Sequence, residues 1–183
     1  CGALVGSETS VGTARYDFAG APVGSVGMFH GGCINGCAAT YHNTRINACG
    51  ALVGSELLLY CYPVAEQGAT KIGSNAVFYG GGYVVYWNGV VRINACGAFV
   101  GSSTQVGTTR VQLAGATPVT NGLFYGGIYS SALNTLTKIN ACAALVGSET
   151  TVGTARFALG GAKVGSYGLF YSGSTLSINS MNT

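Results

Sequence analysis

Short apolar segments separated by glycine-containing polar connections recur along the whole chain. In the first quarter, this pattern predicts a tight turn at Gly24-Ser25 and a Gly31-Gly32 doublet after the third strand. The four predicted strands cover residues 1–7, 16–21, 27–30 and 38–43. No stretch carries a sustained apolar period of 3.6 residues, and 31 of the 183 residues are glycine, which disfavours helices. We therefore predict an all-β fold.

The segment Ile46–Ser55 returns twice, at residues 93–102 and 139–148, and a truncated copy opens the chain at Cys1. Successive copies of its cysteine are 48, 47 and 46 residues apart. Self-similarity at this period is typical of propellers and solenoids. We predict a single domain, residues 1–183, of four units at about 1–48, 49–95, 96–141 and 142–183. With four short strands in each unit, the expected architecture is a β-propeller.

The composition narrows the classes of partner. Hydrophobic residues make up 48% of the chain and charged residues only 7%, so small polar residues or other subunits must cover the surface. The net charge of +3 is scattered, which argues against nucleic-acid binding. The longest apolar run, Leu57–Ala65, is shorter than the roughly 18 residues that a membrane helix needs, so we expect no membrane span.

The order of motifs in each unit resembles that of kelch repeats, in which a strand ends in a glycine doublet followed by tyrosine and tryptophan. The doublets are Gly31-Gly32, Gly80-Gly81 and Gly126-Gly127, and the tyrosines are Tyr41, Tyr86 and Tyr129. The closest likeness is to a bacterial and phage kelch-like variant. This resemblance implies a propeller of four kelch-like four-stranded blades with a binding role. A closed four-bladed ring is favoured over part of a larger ring.

Two histidines and two cysteines near one loop could form a tetrahedral zinc site of the Cys2His2 type. They are His30, Cys33, Cys37 and His42. A local Cys33–Cys37 bridge is an alternative, and unlinked thiols are favoured over both. The cysteines that recur once per unit, among them Cys49, are interpreted as small buried hydrophobic side chains.

Catalytic chemistry is poorly supplied in this sequence. There are only two histidines and five carboxylates, and three of the carboxylates recur at one repeat position: Glu8, Glu56 and Glu149. A residue that recurs in each unit favours a structural role, because a single active site needs asymmetry. We therefore expect neither an enzyme nor a cofactor.

Two further sets of residues are candidates for function. The repeated arginines Arg15, Arg110 and Arg156 are expected to tie blades together through backbone carbonyls or the repeated glutamates, with an acidic ligand as the alternative. Aromatic side chains on or after the Gly-Gly loops could stack on sugars or anchor a protein, with packing between blades as the alternative. They are Tyr83, Tyr86, Trp87, Tyr125 and Tyr129.

Together these features predict a non-enzymatic recognition or assembly module that binds a protein or a glycan through the loops of a propeller face. A structural component of a virion or cell-surface appendage is the alternative, and a metal-dependent propeller enzyme is the least favoured. Copies of the chain itself are also candidate partners. An extracellular or virion-associated location is favoured over a cytoplasmic one.

Overall fold

The structure, a computed structural model, describes residues 10–34, 38–40, 42–58, 64–82, 85–175 and 181–182. Within these ranges the chain is built from β-strands joined by turns and contains no helix, which confirms the all-β prediction. Since no helix occurs in the described part, none there is long and apolar enough to cross a bilayer.

In this part of the chain, the strands form four antiparallel sheets that follow one another in sequence, together with a small hairpin. Sheet 1 contains β1 (Ala19–Val23), β2 (Val26–His30), β5 (His42–Asn47) and β6 (Leu57–Leu58). The hairpin contains β3 (Cys33–Ile34) and β4 (Ala38–Ala39). Sheet 2 contains β7 (Gly68–Ile72), β8 (Asn75–Tyr79), β9 (Gly89–Ile93) and β10 (Thr104–Gln105). Sheet 3 contains β11 (Ala114–Ala116), β12 (Gly122–Tyr125), β13 (Thr135–Ile139) and β14 (Thr150–Thr151). Sheet 4 contains β15 (Gly160–Val164), β16 (Tyr167–Tyr171) and β17 (Met181–Asn182).

The first hairpin of sheet 1 shows why glycine recurs at the turns. Val23 pairs with Val26, so Gly24 and Ser25 form a two-residue connection. Gly24 has a φ of +56°, a left-handed conformation that glycine adopts without steric cost. The turn predicted at Gly24-Ser25 is therefore present.

The start of each repeat is not a strand where the structure describes it. Leu52, Phe99 and Leu145 each form only an isolated bridge, back to the strand before it. The outermost strand of sheets 1, 2 and 3 lies a few residues later, so each of these sheets takes it from the following sequence repeat. The predicted strand at residues 1–7 lies outside the described residues.

The sheets pack face to face, and the core lies between them. One face of sheet 1, including Ala21 and Met28, packs against Phe78 and Ile93 of sheet 2. The other face of sheet 2 packs in the same way on sheet 3, and sheet 3 packs on sheet 4. The first strands of the four sheets, β1, β7, β11 and β15, contact one another in that order.

Candidate functional site

Each repeated arginine precedes the first strand of its sheet, and its guanidinium donates to carbonyl oxygens in or directly after the second strand of that sheet. Arg110 is fully buried and donates hydrogen bonds to the carbonyl oxygens of Phe124 (3.1 Å), Gly126 (3.0 Å) and Thr135 (2.7 Å). It also donates to the hydroxyl of Thr137. These contacts are the ones expected of a structural arginine rather than of a ligand-binding one.

A hydrogen-bonded chain leads from this arginine towards the surface. Thr137 donates to the carboxylate of Glu149, which also accepts a 2.6 Å bond from Thr108. The guanidinium and the carboxylate lie 4.0 Å apart, and the Glu149 side chain is 19% exposed. Burial alone would raise the pKa of Glu149, but the threonine hydrogen bonds and the charge of Arg110 outweigh burial and lower it.

Sheet 1 repeats this arrangement. Arg15 donates to the carbonyl oxygen of Phe29 (3.2 Å) and to Thr44, and Thr44 donates to Glu56. Thr13 donates to the same carboxylate through its amide (2.8 Å) and its hydroxyl (2.6 Å). In sheet 4, the buried Arg156 donates to the carbonyl of Ser172 at 3.3 Å. Glu8, the remaining repeated carboxylate, lies outside the described residues.

At sheet 2, side chains that carry no charge replace the whole network. Val64 occupies the arginine position, because its carbonyl accepts the hydrogen bond that the carbonyls of Arg110 and Arg156 accept in the later units. Val91 pairs with Phe78 as Thr137 pairs with Phe124. Ser103 stands where the other repeats have glutamate. The arginine, threonine and glutamate positions thus change together.

Aromatic side chains mediate the contacts between successive sheets. Tyr79 and Tyr125 are both fully buried, and their hydroxyls donate to carbonyl oxygens of the following unit. Tyr125 was a candidate ligand contact, but its side chain has no exposed surface for a ligand and packs in the core between sheets 3 and 4. Trp87 is half-buried and packs against the core between sheets 1 and 2.

His30 occupies the equivalent position in sheet 1. It is fully buried, and its ring packs on Phe78 with the ring centroids 5.1 Å apart. Burial, reinforced by the charge of Arg15, lowers the pKa of His30 from 6.5 to about 4. Cys33 is buried as well, and Cys37 lies outside the described residues. The described residues contain no cluster of three or more side chains that could bind a metal, and therefore none that includes His30 or His42.

The exposed aromatic side chains on the loops come from two different units. Tyr86 and Tyr129 follow the glycine doublets of sheets 2 and 3, and their ring centroids are 5.8 Å apart in an edge-to-face arrangement. They are 41% and 56% exposed. Of the predicted aromatic set, these two remain accessible, and Tyr83 lies outside the described residues. We call Tyr86 and Tyr129 the loop aromatic pair.

A cavity of about 520 Å³ lies among the first strands of the four sheets. All four sheets contribute to its lining, for example through Gly20, Thr70, Thr117 and Lys163. Much of this lining is glycine, alanine and threonine. The cavity is therefore shaped mainly by backbone and small side chains, with the Lys71 and Lys163 side chains supplying positive charge.

The two ends of the array differ from its interior. In sheet 4, Val164 is 55% and Tyr171 is 53% exposed, although Ile72 and Tyr125 at equivalent positions are fully buried. We call this surface of β15 and β16 the fourth-sheet face. At the opposite end, a cavity of about 260 Å³ opens beside Arg15 and Phe29, and we call it the first-sheet cavity.

Comparison of the chain with known proteins finds neither a matching protein-family model nor a curated protein similar to it.

Proposed function

We propose that this chain is a kelch-like, propeller-type array of four units that acts as a non-enzymatic recognition module. Support for a radial arrangement comes from the 520 Å³ cavity, because strands from all four sheets line it. In a propeller, the innermost strands of the blades surround a central channel in this way.

The observation that carries the recognition role is the loop aromatic pair. Tyr86 and Tyr129 pack against each other, so part of the entropy cost of ordering them is already met before a ligand arrives. An exposed tyrosine combines a flat apolar surface with a hydroxyl, which suits contact with a sugar ring or a protein surface. The ligand class is therefore a glycan or a protein segment.

The state of Glu56, Glu149 and His30 supports a non-enzymatic role. Glu56 and Glu149 are hydrogen-bonded within the arginine networks, and their pKa values are lowered despite burial, so they remain ionised structural acceptors. The pKa of His30 is also lowered, and its ring is sealed between two sheets. A general acid or base needs a pKa near the working pH and access to substrate.

A glycan array and a peptide library probed with the whole chain test this proposal. We expect ligands whose binding weakens at least roughly tenfold in Tyr86→Ala and Tyr129→Ala, as for aromatic anchors at other interfaces. Tyr167→Ala is the matched control, because Tyr167 is an exposed tyrosine in the distant hairpin of sheet 4. Binding that survives both loop substitutions would refute this site.

A structural component of a virion or cell-surface appendage is the second candidate function. The exposed Val164 and Tyr171 on the fourth-sheet face favour it, because equivalent side chains elsewhere are buried between sheets. A surface with only 7% charged residues also suits coverage by neighbouring subunits.

A further inference from the structure

Each junction between sheets uses the same aromatic contact. His30, Tyr79 and Tyr125 pack on the phenylalanine of the next sheet with ring centroids 5.1, 5.2 and 5.3 Å apart. At two of these junctions, a tyrosine hydroxyl also donates to two backbone carbonyls of the next unit. For Tyr79 these are the carbonyls of Val106 (3.1 Å) and Thr108 (2.9 Å).

The fourth-sheet face carries the next member of this series. Tyr171 follows Tyr125 by one repeat, and it pairs with Gly160 as Tyr125 pairs with Ala114. Every residue of β15 is exposed. Tyr171 and Val164 thus form an apolar surface of the kind that the interior junctions bury.

The first-sheet cavity is lined by the residues that would receive such a tyrosine. Val11, Thr13, Arg15 and Phe29 border it. At the junction of sheets 2 and 3, the equivalent residues surround Tyr79: Val106, Thr108, Arg110 and Phe124. Phe29 is only half-buried, whereas Phe124 is fully buried beneath Tyr79. The cavity therefore matches a tyrosine-binding site that is already filled elsewhere in the molecule.

We propose that a second copy of this chain docks its fourth-sheet face onto the first sheet, with Tyr171 entering the first-sheet cavity. The ring packs on Phe29, and the hydroxyl donates to the carbonyls of Val11 and Thr13. The occupant is a second copy because the two surfaces complement each other and both are open in the same described chain. This inference rests on the structural-component role and is independent of the loop aromatic pair.

The resulting contact is heterologous, because it joins two different surfaces of the same chain. Such contacts generate closed rings or open filaments, depending on the rotation between neighbours. Docking would continue the existing sheet-on-sheet array from one chain into the next, with the same aromatic contact at the boundary.

Light scattering coupled to chromatography over a concentration series tests the proposal with the whole chain. We expect the wild-type mass to rise to two or more chains. Tyr171→Ala removes the inserted ring, and Ala14→Trp fills the cavity from an exposed position. Each should raise the dissociation constant at least roughly tenfold. Val119→Ala is the matched control, since it shortens an exposed apolar side chain in the third unit, away from both proposed contact surfaces.

Mixing the two interface variants sharpens the test. Each variant keeps one intact surface, so an equimolar mixture should form a one-to-one dimer that does not grow further. At a concentration low enough for the wild type to be monomeric, unchanged melting temperatures of the isolated variants would show that both are folded, because assembly itself would raise the melting temperature.

Three results would overturn the inference. A wild-type chain that assembles regardless of both substitutions would refute this interface while leaving the structural role standing. A monomer at every concentration would refute both. A monomer whose melting temperature falls in both variants would mean that the two surfaces meet within one chain.

Discussion

Replacing Arg110 by valine tests whether the buried arginine network acts as a unit. The change removes three bonds to carbonyl oxygens and the bond to Thr137, all in a fully buried position. It also deprives Glu149 of the cation 4.0 Å away. Breaking a buried charge pair by removing one partner costs about 3–5 kcal/mol. For a chain of this size, that lowers the melting temperature by about 6–20 °C.

Sheet 2 shows the compensating changes, since Val64, Val91 and Ser103 occupy the three network positions there. We therefore expect the triple variant Arg110→Val/Thr137→Val/Glu149→Ser to be more stable than the sum of its single substitutions predicts, by at least about 2 kcal/mol. Once the arginine is absent, the hydroxyl of Thr137 and the carboxylate of Glu149 have lost their buried cationic partner, so replacing them as well removes polar groups that are no longer fully paired. Replacing a whole buried ionic network by uncharged side chains is often close to neutral in stability.

Urea unfolding of the wild type, the three single variants and the triple variant measures this coupling. Lys138→Val is the control, because Lys138 is an exposed cation on the same strand as Thr137, and we expect a change within about 0.5 kcal/mol. Strictly additive free energies would refute the reasoning, because they would mean that the three side chains contribute independently.

The network also predicts that the stability of the folded chain depends on pH in the acidic range. The pKa of Glu149 in the folded chain is lowered below the ordinary value of 4.5. Its contribution to stability is therefore complete above that ordinary value, and it is lost as the pH falls through the lowered folded pKa. The triple variant should lose less stability than the wild type over that acidic range, and identical acid profiles would argue against an ionised Glu149.

Three further measurements follow from the structure. Burial lowers the pKa of His30 from 6.5 to about 4, so its contribution to stability is complete above pH 6.5 and falls by about 3 kcal/mol towards pH 4. His30→Tyr should therefore weaken the dependence of the melting temperature on pH over this range, and an unchanged pH dependence would contradict the assignment. Gly126→Ala should cost clearly more than Gly147→Ala, because both have a φ of +71° but only the Cβ at Gly126 would lie 2.5 Å from a carbonyl oxygen; equal unfolding free energies would show that the backbone yields. The exposed thiols of Cys49, Cys96 and Cys142 should react rapidly with a thiol reagent in the native chain, and replacing each by serine should remove one equivalent from this fast phase. Slow reaction of all three would show that these side chains are shielded.

The repeat could be read from the self-similarity of the sequence, and the strand pattern only in part from local signals. The predicted strand at residues 16–21 begins three residues before β1, and the one predicted at 38–43 is divided between β4 and β5. The predicted strand at residues 27–30 matches β2, which begins one residue earlier, and the turn at Gly24-Ser25 follows from glycine chemistry. Closure into a ring depends on distant contacts, and it stays a prediction. The absence of a helix from the described residues reflects the same glycine content that predicted it.

The repeated cysteines show where hydrophobicity alone misleads. They were interpreted as buried, and that prediction was wrong for the described copies, of which Cys49 is one. The side chain of Asn47 accepts hydrogen bonds from the amides of Cys49 (3.0 Å) and Ala51 (2.9 Å). This Asx-type turn directs the cysteine to solvent. The asparagine two residues earlier was the available signal.

The burial of the repeated tyrosines could not be predicted from the sequence, because equivalent repeat positions carry the same residue whether or not another sheet packs beside them. Tyr125 and Tyr171 are equivalent, yet one is fully buried and the other is 53% exposed, since burial depends on the neighbouring sheet. Burying a side chain of this size contributes about 1.5–3 kcal/mol. In arrays of stacked units, each added junction contributes its own interface free energy. A chain that ends its described array on an exposed Tyr171 therefore gains stability from any further unit that covers it, and a second copy presents the matching surface.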